Sequence, residues 1–151
     1  MANSQAMCTS FKQDLLNGLH AFGTSVVRAG TGADSFKAAL YFASASLSAA
    51  TTAYSATGEA TGTGYSAGGI AVPAWVAPTT SGTTAYTTPG GSLVYTTVTI
   101  AAFDTVLIYN NTAAGVNAVS VHTFGSQSIT ANTFTLTMPS NASGTALIRI
   151  A

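Results

Sequence analysis

The chain has 151 residues with 4 Lys/Arg and 4 Asp/Glu, so that 5% of it is charged and its formal net charge is zero, against about 25% charged residues in an average domain. That length suits one domain, and the four cations, Lys12, Arg28, Lys37 and Arg149, are too scattered to neutralise a run of phosphates, which argues against nucleic acid as a partner. No uninterrupted apolar run of about 18 residues is present to cross a membrane, residues 1–7 lack the basic start and apolar run of a leader, and the single Cys8 forms no internal disulfide, as expected of a chain made in a reducing cytoplasm.

From the N-terminus, Met7, Phe11, Leu15, Leu19 and Phe22 recur at spacings of three and four with Leu16 beside them, which predicts a helix within 6–22. Ser4 or Thr9 would cap it and Gly23 would end it, while Gly18 inside it would cost about 1 kcal/mol relative to Ala. Residues 1–23 therefore read as a helical arm. Its apolar stripe must dock on its own β domain or on a neighbouring subunit, because so short a helix is marginal alone. The rest, 24–151, reads as a single domain.

After a loop at 29–32, residues 35–42 alternate Phe36, Ala38, Leu40 and Phe42 with Lys37, Ala39 and Tyr41, a strand pattern. Residues 43–69, rich in Ala, Ser, Thr and Gly, show no sustained period and read as a long irregular excursion. Loops of that length are commonly functional or engaged by a partner. Strand-like runs follow at 70–76, 92–100, 105–109, 118–124, 133–138 and 145–150, separated by turn residues at 88–91, 110–112, 125–126 and 139–141. With 25 Thr, 16 Ser and 15 Gly beside 47% apolar residues, the expected class is mainly β: an antiparallel β-sandwich, jelly-roll-like, with a short N-terminal helix or arm.

Chemistry-bearing residues are sparse. Cys8 and His20 are the only Cys–His pair near one helix, but twelve helical residues span about 18 Å, too far for a nucleophile and its base; Cys8 reads more simply as a small packing residue. His20, His122, Cys8, Asp14, Asp34, Glu59 and Asp104 form no close-spaced metal motif, so neither metal nor cofactor is expected. His122 lies on the opposite side of its strand from Val121, as a hydrogen-bonded surface or interface residue. Asp34, Glu59 and Asp104 offer no support for a glycosidase pair; Asp104 reads as a turn residue, and Glu59 as solvated or paired with a base across an interface. Gly62-Thr63-Gly64 lacks the Lys and helix of a phosphate loop and reads as close backbone passage. Tyr54, Tyr65, Trp75 and Tyr86 would serve a sugar platform, yet a core or an assembly interface needs the same aromatics. The candidate interface residues are Phe11, Leu15, Leu19, Tyr54, Glu59, Tyr65 and Trp75.

Five segments, FKQDLLNGLH at 11–20, SFKAALY at 35–41, EATGTGYSAGG at 59–69, LIYN at 107–110 and AVSVHTFG at 118–125, together resemble a family of small virion structural proteins of tailed bacteriophages. The resemblance runs over nearly the whole chain, is distinctive as an ordered set, and carries no catalytic residues. It implies a place in a phage particle and synthesis in the host bacterial cytoplasm. The leading expectation is a non-enzymatic capsid decoration, or cement, protein on the head surface. Its expected partners are the major capsid protein or other virion proteins, and sister copies as a dimer or trimer. The alternatives are a tail, collar or fibre adaptor, and a receptor- or carbohydrate-binding module of the virion.

Overall fold

A computed structural model describes residues 2–16, 18–22 and 32–151. The expected helix end at Gly23 and the loop at 29–31 lie outside the described residues. In chain order the elements are β1 (Ala6–Met7), α1 (Thr9–Leu16), β2 (Phe36–Phe42), β3 (Gly62–Thr63), β4 (Ile70–Ala71), β5 (Thr79–Ser81), β6 (Thr84–Thr87), β7 (Leu93–Asn110), β8 (Ala118–Leu136) and β9 (Ile148–Ile150). The molecule is mainly β and antiparallel, with a short N-terminal helix, as its composition predicts. One sheet runs β1-β8-β7-β2-β4 with β3 also on β7, and a second runs β5-β6-β9. No described helix is long and apolar enough to cross a membrane.

The helix is shorter than the periodicity predicts, for two reasons. Ala6 and Met7 pair with Val121 and Ser120 of β8 instead of joining the helix. At the other end Gly18 takes φ 69, Leu19 N donates to the Asp14 carbonyl at 2.9 Å and Gly18 N to the Leu15 carbonyl at 3.1 Å. That bond pair is the usual glycine stop of a helix, so Gly18 terminates the helix rather than weakening it. Phe11 is fully buried, 4.9 Å from the ring of His20 and 5.9 Å from that of Phe22. The described part of the N-terminal segment thus docks on its own β domain, with Cys8 and Phe11 inside the core.

The four expected runs 92–100, 105–109, 118–124 and 133–138 merge into two strands, β7 of 18 residues and β8 of 19. The turn expected at 125–126 is absent, since β8 runs through it. Breaks in the alternation become bulges, with shifted register and positive φ at Thr97, Ala102 and Ala131; bulges bend a strand and sharpen its twist. The bend is large. Tyr95 and Ile108 would lie about 43 Å apart on a straight strand, yet the Tyr95 hydroxyl donates at 2.8 Å to the carbonyl of Ala38, the residue paired with Ile108. Phe103 pairs with Gln127, but its ring meets that of Phe134, seven residues further along β8, at 4.9 Å. One long hairpin therefore folds over on itself, and its two halves supply both layers of the sandwich, with bulges at the corner.

Strand β2 lies at the centre and is buried on both faces from Ala38 to Tyr41, which is why it reads as a nearly continuous apolar run. Phe36 meets Phe22 and Trp75 on one side. On the other, Tyr109 of the neighbouring strand stacks on Tyr54 at 4.8 Å.

Candidate functional site

The excursion at 43–69 is irregular apart from β3, and part of it is held by this chain. Phe42 N donates to the Gly58 carbonyl at 3.0 Å and Ala60 N to the Leu40 carbonyl at 2.8 Å, with a bridge between Tyr41 and Glu59. Two residues on, Gly62 and Thr63 pair with Ile100 and Thr99. Residues 58–63 thus join the outer edge of β2 to the first half of β7 and close one seam of the folded sheet. The backbones come so close that a Cβ on Gly62 would lie 1.9 Å from the Thr99 carbonyl oxygen, the close passage expected of these glycines.

Glu59 sits at this seam with 6% of its surface exposed. Its Oε1 accepts from the Tyr65 hydroxyl at 2.8 Å and from Gly68 N at 2.7 Å, and its Oε2 from the Tyr54 hydroxyl at 2.6 Å. Tyr65 also accepts Leu40 N at 2.9 Å, and Tyr109 donates to the Gly68 carbonyl at 2.8 Å. No Lys or Arg pairs with Glu59 among the described residues. Neutral donors therefore carry the whole cost of burying this carboxylate. Burial, and then the bond to Glu59, push the Tyr54 hydroxyl up to about 12 and raise Tyr65 further, so both stay protonated donors at neutral pH. With three donors already on its two oxygens, Glu59 is a structural anchor. It is buried rather than solvated, and among the described residues its partners are neutral.

A second polar cluster, not foreseen from sequence, ties the N-terminal segment to the end of β7. Fully buried Asn110 donates through Nδ2 to Asp34 Oδ2 at 2.9 Å and lies 3.0 Å from His20 Nδ1. Its Oδ1 accepts Thr112 N and Ala113 N at 2.9 and 3.1 Å. Asp34 Oδ2 accepts Ala21 N at 2.7 Å, and Asp14 Oδ2 accepts Asn117 Nδ2 at 2.9 Å while lying 3.5 Å from His20 Nε2. A lone Asn at a strand end gives no sequence signal beyond a turn, so only the folded geometry reveals this role.

The structure divides the seven candidate interface residues. Tyr54, Glu59 and Tyr65 converge at the seam. Phe11 and Trp75 join an aromatic cluster with His20, Phe22 and Phe36, Leu15 packs against the core, and Leu19 is half-buried. Trp75 is 5% exposed, and Tyr54 and Tyr65 point their hydroxyls inward at Glu59, so no exposed sugar platform forms from them. Cys8 is fully buried, which pushes its thiol up to about 11 and leaves almost no nucleophilic thiolate at neutral pH. His122 is half-buried, 2.9 Å from Ser120 Oγ, and burial lowers it to about 4. Asp104 lies within β7 rather than at a turn and accepts from Asn3 Nδ2 and Thr105 Oγ1 at 3.1 and 2.7 Å. Among the described residues, no three His, Cys, Asp or Glu side chains are grouped to hold a metal.

No protein-family model matches this chain, and no curated protein or solved structure shows a significant match to it.

Proposed function

We propose that this chain is a non-catalytic structural protein of a tailed-bacteriophage particle, acting as a decoration protein that binds the assembled head and stabilises it. The observation that carries this reading is where the ionic groups are. All four carboxylates, Asp14, Asp34, Glu59 and Asp104, accept hydrogen bonds from this chain, and the exposed residues of β5 and of the second half of β8 are Thr, Ser, Asn, Gly and Ala. A surface this poor in charge lacks the mixed ionic cover that keeps proteins dispersed and matches the charge-depleted core of protein interfaces. The location in a particle is what the resemblance to small virion proteins implies. The mechanism is mass action: a protein that binds only the assembled shell stabilises that shell by an amount set by affinity and concentration.

Quantitative mass spectrometry of purified particles tests the position. Hundreds of copies per particle support head decoration; roughly six, twelve or eighteen would move the protein to the portal or tail axis.

A further inference from the structure

Strand β8 has β7 along one edge for its whole length, but β1 covers its other edge only at Ser120 and Val121, extended by the bond from Cys8 N to the Val119 carbonyl. From His122 to Leu136 no described strand pairs with that edge. Proteins normally guard so long an edge with lysines, inward charges, proline or bulges, and of these only the bulges are present here. Here no Lys, Arg, Asp, Glu or Pro occurs from 118 to 138, and the only local irregularities are the bulges, with Ala131 at φ 45. Gly125, Ser126, Ser128 and Thr130 to Thr133 are exposed.

We propose that this edge pairs with the same edge of a second copy, antiparallel about a two-fold axis near Ile129, so that the large sheets of two protomers become continuous. Charge favours a second copy as the occupant. In antiparallel self-pairing every residue meets a residue of the same strand, and a strand without ionisable groups apart from His122, itself neutral at pH 7, places no like charges opposite each other in any register. A charged partner strand would instead lose hydration against hydroxyls and amides that offer it no counter-charge. The proposal rests on the neutral-surface reading above and specifies the contact between sister copies.

The test uses the purified chain, so its failure is distinct from absence of the protein from particles. Sedimentation equilibrium should give twice the 15.1 kDa chain mass. The Thr130→Lys/Thr135→Lys variant, which sets one cation beside the axis and a second about 20 Å along the paired edge, should weaken the dimer by more than about tenfold. Thr83→Lys, in the exposed β5–β6 turn, should leave it unchanged. If the double variant does not fold, hydrogen exchange of the wild type decides: alternate amides between 123 and 136 should slow as concentration rises. A monomer at all concentrations, a closed trimer or larger ring, a dimer indifferent to the lysines, or concentration-independent exchange in β8 would each overturn the proposal.

Discussion

Tyr65 gives its phenolic hydrogen to Glu59 Oε1 at 2.8 Å and so ties two points of one loop together inside the protein. The same oxygen of Tyr65 accepts Leu40 N, which makes this hydroxyl the link between the loop and central strand β2. Glu59→Gln keeps the shape but turns an amide NH2 toward groups that are themselves donors. It is expected to cost about 2–4 kcal/mol in urea unfolding, because a buried donor without an acceptor bears its full desolvation cost. Tyr65→Phe should cost about 1–3 kcal/mol. Unchanged midpoints for both would show that the seam is not an anchor.

Two glycines separate the steric from the permissive. Gly62→Ala drives a methyl into the Thr99 carbonyl and must part β3 from β7, so a loss of more than about 3 kcal/mol is expected. Gly125 has nothing within 4 Å of a Cβ, and Gly125→Ala should stay within about 0.5 kcal/mol of wild type. Equal effects at both sites would refute the seam geometry.

Acid should weaken the fold through His122. Its native titration is depressed from 6.5 to about 4, so the unfolded chain takes up the proton first. The stability this group contributes is present above pH 6.5 and is lost as pH falls from there toward 4. His122→Gln should flatten the dependence of the denaturation midpoint on pH in that window. A wild-type midpoint constant between pH 7 and pH 4 contradicts it.

Alkali acts with the opposite sign. Cys8 is raised from 9.0 to about 11 and Tyr54 from 10.0 to about 12. Their contribution is full below the unfolded values and is lost as pH climbs through 9 to 12. At pH 8 a disulfide reagent should label Cys8 at least about a hundredfold more slowly in the native protein than in denaturant. Equal rates would place the thiol outside the core.

Trp75, the single tryptophan, meets Phe22 edge-on at 4.7 Å and Phe36 at 5.5 Å. Its emission should be blue-shifted and poorly quenched by acrylamide. Trp75→Ala should cost about 3–5 kcal/mol. Loss of glycan adsorption by this variant with stability intact would instead favour a carbohydrate-binding module.

The class of fold was legible because β-branched and aromatic runs alternate between turn residues from Ile70 onward. The fold-over was not. Thr97, Ala102 and Ala131 adopt positive φ without being glycine or asparagine, so nothing local marks them as bulges, and one bent strand reads as two separate ones. Met7 through Phe22 show helical spacing, yet tertiary pairing to β8 claims Ala6 and Met7, and the φ of Gly18 decides where the helix stops. Tyr54, Glu59 and Tyr65 stand out in the sequence as aromatic and charged residues in a polar loop. That they turn inward follows from closure of the seam, a long-range contact to β7 that no window of sequence contains.

Whether a chain so poor in surface charge works by broad neutral contact within a phage particle is decided by a density map of the intact particle. This bent sandwich should occupy the outer surface of the head, with its hydroxyl-rich faces against the shell. A particle containing no copy of the chain, with the protein recovered only as a dispersed species from infected cells, would contradict it.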